Sequence, residues 1–152
     1  MTSSDHNPIV DFLDLAGKTF LVMGVANKKS VAYAIAKMIE ASGGEVIYSV
    51  RSESRRESLA KLLKDRRVLV CDVENQADID ALAVTLRQDQ VSLAGLVHAI
   101  AFADYPEGIR PFHETTRSQF LQAVDISAFS LTTISNALKD ILRSDASVAV
   151  SY

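Results

Sequence analysis

The chain has 152 residues, 48% of them hydrophobic, which suits one domain with a buried core. Six glycines and three prolines exclude a long disordered region, and the net charge of -3 gives no general case for nucleic-acid binding. One cysteine excludes an internal disulfide framework, and the absence of a signal-like stretch or a span-length apolar run predicts a cytoplasmic protein without membrane insertion.

Apolar runs and helical segments alternate along the chain after a polar lead-in over residues 1–16. The runs are short and nearly continuous, as expected for strands covered on both faces of a parallel sheet. The predicted strands are Thr19–Gly24, Glu45–Val50, Arg67–Cys71, Ala94–Ala99 and Ser147–Tyr152, and the predicted helices are Ser30–Ser42, Glu53–Lys64, Asn75–Asp89 and Thr116–Arg143. This order predicts an α/β fold with a doubly wound, mostly parallel, Rossmann-type sheet and one domain over residues 17–152.

The loop after the first predicted strand has features of a phosphate site. Gly24 ends the strand without a Cβ, and five residues, Val25–Lys29, separate it from Ser30. Ser30 could cap the following helix or donate its hydroxyl to a phosphate, while Lys28 and Lys29 add positive charge. An ordinary β–α turn would also explain this pattern. Its place in the first β–α unit of a doubly wound sheet favours a dinucleotide pyrophosphate.

The residues after the second predicted strand bear on the choice of cofactor. Arg51 stands where an acid would hold the ribose 2′-hydroxyl of NAD and an arginine would accept the 2′-phosphate of NADP. Ser52, Arg55 and Arg56 follow, and guanidinium groups beside a hydroxyl suit a phosphate monoester. Glu53 could pair with Arg56 or Arg51, and a merely charged start to the helix is the alternative. We predict NADPH as the cofactor, with NADH as the second choice.

The long helix predicted over Thr116–Arg143 carries two apolar stripes, whereas a helix lying on a sheet needs only one. The second stripe is therefore expected to be covered by another part of the chain or by another subunit. The first stripe comprises Phe120, Val124, Leu131, Ile134, Leu138 and Ile141, and the second comprises Ile126, Phe129, Thr133 and Ala137.

The histidines and the cysteine give no sign of a metal site or a nucleophile. His6, His98 and His113 lack metal-ligand spacing, so no metal is predicted. His98 lies in a predicted strand and is expected to be a core histidine held by hydrogen bonds. Cys71 has no partner base nearby in the sequence and is expected to be a buried packing residue.

Several segments, in chain order, resemble one family. The stretch GVANKKSVA, which begins at Gly24, is similar to the G-x-x-x-x-x-S-x-A loop of enoyl-acyl-carrier-protein reductases, a divergent branch of the short-chain dehydrogenase/reductases. Ordinary members of that superfamily carry T-G-x-x-x-G-x-G and N-N-A-G instead. In this chain Ala99 and Phe129 replace the usual serine and tyrosine. The other similar segments are CDV (71–73), VHAIAFA (97–103), DISAFSL (125–131) and VAVSY (148–152).

The resemblance implies roles for individual residues. Asp72 and Val73 would hold the adenine, although Asp72 could instead cap the next helix. Ile100 and Ala101 would lie behind the nicotinamide ribose, and Ala103 would contact the substrate. The complete set of predicted cofactor-binding residues is Gly24, Ala26, Ser30, Val31, Arg51, Ser52, Arg55, Asp72, Val73, Ala99, Ile100 and Ala101.

The resemblance also implies an activity, namely the NAD(P)H-dependent reduction of the 2,3 double bond of an enoyl-acyl-carrier-protein thioester in fatty acid synthesis. The expected partners are acyl-carrier protein and further copies of the chain in a homotetramer. The family's catalytic Tyr-x6-Lys pair has no match here, so that pair and the last strands are expected beyond residue 152 and the chain as given is expected to be inactive. A reductase of ketones or sugars and a non-catalytic NADP(H)-binding module remain open alternatives.

Overall fold

Five strands alternate with helices along residues 12–106 and 108–151, the part of the chain that the computed structural model describes. The strands are β1 (Thr19–Met23), β2 (Glu45–Val50), β3 (Arg67–Val70), β4 (Leu93–His98) and β5 (Leu142–Val150). The α-helices are α1 (Val31–Ala41), α2 (Glu53–Leu63), α3 (Gln76–Gln88), α4 (Arg117–Val124) and α5 (Ser130–Leu138). A short 3₁₀ turn, Phe112–Glu114, precedes α4, and a π-helical segment, Asp125–Phe129, joins α4 to α5.

The strands form one sheet in the order β3-β2-β1-β4-β5, and every neighbouring pair is parallel. The prediction of a doubly wound, Rossmann-type sheet is therefore confirmed. The order reverses between β1 and β4, which pair side by side although two β–α units separate them in the chain. The loops that leave these two strands meet at the carboxyl edge of the sheet, where such folds bind ligands.

Helices cover both faces of the sheet. Along β1, Phe20 and Val22 belong to one core, while Leu21 and Met23 belong to the other, because successive strand side chains alternate between faces. The first core is completed by Ala32, Ala36 and Ile39 of α1 and by Leu59 and Leu63 of α2, and the second by Ile79, Leu82 and Leu86 of α3 and by Ile134 and Leu138 of α5. None of the helices in the described ranges has the length and apolar character that a membrane span requires.

The last helical region differs from the single helix predicted over Thr116–Arg143. The α-helix ends at Leu138, and β5 already begins at Leu142, which lies opposite Leu93. The prediction was wrong here because Leu138 and Ile141 continue the helical spacing of apolar residues across the turn. The other α-helices and strands β1–β4 agree with prediction within one residue at each end. Tyr152, predicted as the last strand residue, lies outside the described residues.

The π-helical segment also changes the faces on which the predicted stripes lie. Ile126, assigned to the second stripe, is only 5% exposed and is buried by its own chain. Phe120 and Val124, assigned to the first stripe, are 59% and 43% exposed, and Phe129 of the second stripe is 55% exposed. A π turn closes i→i+5 hydrogen bonds and inserts an extra residue. Residues after the π-helical segment therefore lie on a different face from the one predicted for a continuous helix of 3.6 residues per turn.

Candidate functional site

A pocket of about 130 Å³ opens at the carboxyl edge of the sheet, and we call it the edge pocket. It is lined by Gly24, Arg51, Cys71, Asp72, Val73, Glu74, Ile100, Ala101, Phe102 and Ile126. The first nine of these follow four different strands, and the last comes from the π-helical segment. The fold thus brings together six of the predicted cofactor residues, namely Gly24, Arg51, Asp72, Val73, Ile100 and Ala101. Ligand pockets usually measure about 300–1,000 Å³, so the edge pocket can enclose only one part of a dinucleotide.

A larger groove lies at the opposite edge of the sheet. Its volume is about 840 Å³, and Lys18, Glu45 and Arg67 are among its lining residues. None of the predicted cofactor residues lines it, although the structure describes all of them. Because ligands of doubly wound sheets bind beyond the carboxyl ends of the strands, the edge pocket is the better candidate despite its size.

Gly24 lies where the loop after β1 crosses the loop after β4. Its φ angle is +98°, and a Cβ at this position would stand 1.9 Å from the carbonyl oxygen of Ala99. The Ala99 amide also donates a hydrogen bond to the Met23 carbonyl, at 3.2 Å. The sequence pattern explains this glycine by the close approach of a phosphate. The geometry adds a prior reason, since only a residue without a Cβ lets the two loops meet.

Ser30 organises the loop between β1 and α1. Its hydroxyl donates to the Asn27 carbonyl at 2.5 Å and lies 3.4 Å from the Ala26 amide nitrogen. It makes no capping hydrogen bond to α1, so the capping alternative for its side chain is wrong. Val31, the first residue of α1, is 53% exposed beside this loop. Ala26, Ser30 and Val31 are therefore close neighbours that lie outside the edge pocket.

Arg51 contacts two carboxylates and an aromatic ring. Its Nη2 lies 3.2 Å from Glu74 Oε2, and its Nε lies 3.5 Å from Asp72 Oδ2. The guanidinium carbon stands 5.3 Å from the centre of the Phe102 ring, within the range of a cation–π contact. The cation predicted to accept a 2′-phosphate thus already has partners in the pocket wall.

The start of α2 combines a cap with an ion pair. The Ser52 hydroxyl accepts a hydrogen bond from the Arg55 amide at 3.2 Å and so caps the helix. Glu53 pairs with Arg56 at 2.6 Å, which confirms one of the two pairings predicted for it. Ser52 follows Arg51 directly and Arg55 lies one helical turn further along, but neither lines the edge pocket.

Asp72 and Cys71 follow β3 at the base of the pocket. The capping alternative for Asp72 is wrong, because α3 is capped by Asn75, whose side chain accepts from the Ala77 amide. Asp72 instead accepts a hydrogen bond from the Glu74 amide at 3.2 Å and contacts Arg51. Cys71 is buried, and burial raises the pKa of its thiol to about 12, so its predicted packing role is confirmed.

The segment after β4 is held by a serine, Ser127, whose role was not predicted from the sequence. The Ser127 hydroxyl, in the π-helical segment, accepts from the Phe102 amide at 2.9 Å and donates to the Phe102 carbonyl at 3.2 Å. Ser127 lies within the DISAFSL segment, and that was the available signal. Phe102 lines the edge pocket, so Ser127 fixes one of its walls. Ala103, the next residue, is exposed, and its contact with a substrate stays a prediction.

His98 has the core role expected from the sequence. It is fully buried, and its Nε2 lies 2.7 Å from the Ser130 hydroxyl. Since Ser130 donates its only proton to the Ile126 carbonyl, the histidine must be the donor in this pair. Burial lowers the pKa of His98, which favours the neutral ring.

The tyrosines of the described residues offer no Tyr-x6-Lys pair. Tyr48 is buried and donates to Glu40 Oε1 at 2.8 Å, and its burial, followed by this hydrogen bond, raises its pKa. Arg66 also holds Glu40 and lowers the pKa of that carboxyl to about 2. Tyr48 therefore has a structural role in a network between α1 and the sheet, and Tyr105 is 54% exposed in the loop after β4.

The known proteins to which this chain is similar are enoyl-acyl-carrier-protein reductases. The family model described as "Enoyl-(Acyl carrier protein) reductase" matches residues 24–152. An NADH enoyl-acyl-carrier-protein reductase of Enterococcus faecalis is 40% identical over 130 residues, which are 85% of this chain and 52% of the relative. An NADPH enoyl-acyl-carrier-protein reductase of Staphylococcus aureus is 33% identical over 146 residues, which are 92% of this chain and 57% of the relative. The crystal structure of an NADH reductase of Aquifex aeolicus superposes with a TM-score of 0.83 at 30% identity, over 90% of this chain and 60% of that one. The chain thus spans about half the length of the curated relatives it matches.

Proposed function

The chain belongs to the enoyl-(acyl carrier protein) reductase family, and from this membership we propose that it forms the dinucleotide-binding half of an enoyl-thioester reductase, with residues 17–152 as the binding domain. The reaction is reduction of the 2,3 double bond of an enoyl chain carried by acyl-carrier protein. The observation that carries the proposal is the edge pocket, which is lined by residues that follow four different strands, six of them among the predicted cofactor residues.

The residues of the edge pocket suit an adenine base. Val73 supplies an apolar wall, and the Asp72 carboxylate can accept a hydrogen bond from an exocyclic amine. The loop of Gly24, Ala26 and Ser30 opens α1, and the N-terminus of a helix favours a pyrophosphate. When bound, the nicotinamide would supply a hydride. The residues of this chain would bind and orient the dinucleotide, with Ile100 and Ala101 behind the nicotinamide ribose.

We assign NADPH as the preferred cofactor, with NADH as the alternative. Arg51 lies in the pocket wall, and Ser52 and Arg55 follow it at the start of α2. A guanidinium beside hydroxyl and amide donors suits the 2′-phosphate that distinguishes NADPH. Relatives named as NADH reductases and as NADPH reductases both match this chain, so the proposal depends on Arg51.

The activity test uses the product of the complete reading frame together with residues 1–152 alone. NADPH oxidation is followed with a crotonyl thioester as the enoyl substrate. We expect turnover only where a Tyr-x6-Lys pair is present, because the enolate formed after hydride transfer needs a proton donor or an oxyanion stabiliser. Turnover by residues 1–152 alone would show that the proton donor lies within them. Failure of the complete product to bind either nucleotide would contradict the proposal.

We also propose that the protein assembles as a homotetramer through the exposed side of α4 and the π-helical segment. Phe120 and Phe129 expose large apolar surface there, and aromatic side chains dominate the energy of interfaces. Replacing both with serine is expected to shift the intact protein to smaller species in light scattering. The same change at Val84, which is 48% exposed on α3, is the control. An unchanged mass for the double variant would place the interface elsewhere.

A further inference from the structure

Glu74 joins Arg51 to the helix α4. One of its carboxylate oxygens lies 3.2 Å from Arg51 Nη2, and the other accepts a hydrogen bond from Gln122 Nε2, also at 3.2 Å. Glu74 follows β3, Arg51 follows β2, and Gln122 lies in α4, so three separate parts of the chain meet at this carboxylate. We call Arg51, Glu74 and Gln122 the Arg51 bridge.

The Arg51 bridge forms part of the wall of the edge pocket. Arg51 and Glu74 both line it, and the Arg51 guanidinium also stands over the Phe102 ring. The arginine that would bind a 2′-phosphate is thus held by a neighbouring carboxylate. Asp72 also contacts Arg51, but at the longer distance of 3.5 Å and with the proposed second task of holding the adenine.

We propose that Glu74 weakens the preference for NADPH by competing with its 2′-phosphate for Arg51. This inference rests on the proposed nucleotide site. A phosphate monoester carries a charge of about -1.5 to -2 near neutral pH, so it competes with the Glu74 carboxylate for Arg51 and is repelled by it. NADH has a neutral hydroxyl at that position and can bind while the Arg51–Glu74 pair persists. Glu74 therefore lowers the preference for NADPH that Arg51 creates.

The substitution Glu74→Gln separates charge from shape, because glutamine keeps the size of the side chain and a hydrogen bond to Gln122. Arg51 and Glu74 are partly exposed, with 57% and 30% of their side-chain surfaces accessible. Exposed ion pairs contribute little, so the release of Arg51 should tighten NADPH binding by about twofold to fivefold while NADH changes much less. Dissociation constants are measured for both nucleotides by fluorescence titration of the intact protein.

A matched control and a second background make the test decisive. Glu53→Gln removes an equally charged side chain that pairs with Arg56 and does not line the edge pocket, and it should leave the NADPH-to-NADH ratio unchanged. In an Arg51→Ala background the gain in NADPH affinity from Glu74→Gln should largely vanish, because the guanidinium for which Glu74 and the 2′-phosphate compete is absent. Thermal melts of all variants check that the fold is retained.

The outcomes separate this inference from the proposed function. If the parent protein binds both nucleotides and Glu74→Gln shifts them equally, weakens NADPH, or acts as strongly without Arg51, the role of Glu74 is wrong while the binding site stands. If the parent binds neither nucleotide, the proposed function fails and the role of Glu74 fails with it. A selective gain for NADPH that depends on Arg51 supports both.

Discussion

Replacing Gly24 with alanine is expected to lower the free energy of unfolding by about 2–5 kcal/mol, the largest effect predicted for any substitution considered for this chain. Two causes add. A left-handed backbone costs a residue with a Cβ about 1–2 kcal/mol, and Gly24 has a φ of +98°. The new Cβ would also stand 1.9 Å from the Ala99 carbonyl oxygen. Since that oxygen belongs to backbone, the two loops must separate, at a cost of roughly 1–3 kcal/mol.

Gly17→Ala is the matched control for this prediction. Gly17 has a φ of +70°, yet a Cβ built there meets nothing within 4 Å. It should therefore cost only the backbone strain of about 1–2 kcal/mol. Chemical denaturation of both variants, analysed as two-state transitions, measures the difference. Equal losses for Gly17→Ala and Gly24→Ala would mean that the crossing of the two loops contributes nothing.

A loss of stability in Gly24→Ala would also affect the interpretation of nucleotide-binding measurements on variants of the loop after β1. A substitution of Gly24 that abolishes nucleotide binding does not by itself identify a phosphate contact, because it separates the loop after β1 from Ala99. Ser30→Ala is the cleaner probe of the loop. It removes the hydroxyl that contacts Asn27 and leaves the crossing at Gly24 unchanged.

Arg51→Ala is expected to weaken NADPH binding by roughly 5- to 30-fold and to affect NADH much less. Charge-assisted hydrogen bonds to a phosphate contribute about 1.5–3 kcal/mol. Part of this is offset, because Arg51 gives up exposed contacts with Asp72 and Glu74 that are each worth about 0.2–1 kcal/mol. The phosphate contact is stronger than the contacts it replaces, and so the net effect remains a loss for NADPH.

Titration of both nucleotides against the intact protein tests this prediction. Arg143→Ala serves as the control, since it removes the same charge from the opposite edge of the sheet, where Arg143 pairs with Asp145. Raising the salt concentration should reduce the NADPH preference of the parent protein, because the deciding contact is ionic. Equal losses of NADPH and NADH in Arg51→Ala would reject Arg51 as the phosphate ligand.

The sequence alone was sufficient for the fold and the family. The alternation of apolar runs with helical segments predicted a doubly wound parallel sheet, because strands buried on both faces need continuous apolar residues. The spacing from Gly24 to Ser30, together with the later segments, indicated the reductase family. The predicted strands also imply that the residues following them lie together, since the carboxyl ends of parallel strands all lie at one edge. Six of the predicted cofactor residues do line one pocket there.

Only the tertiary structure decided which groups these residues contact. The π-helical segment is invisible to a 3.6-residue period, yet it buries Ile126 and brings Ser127 to Phe102. The crossing at Gly24 joins residues 75 positions apart, as the contact with Ala99 shows. Arg51 and Glu74 are likewise separated by 23 positions, and no local pattern links them. Sequence patterns report the period and polarity of single elements, whereas contacts between loops arise only when the sheet places their strands side by side.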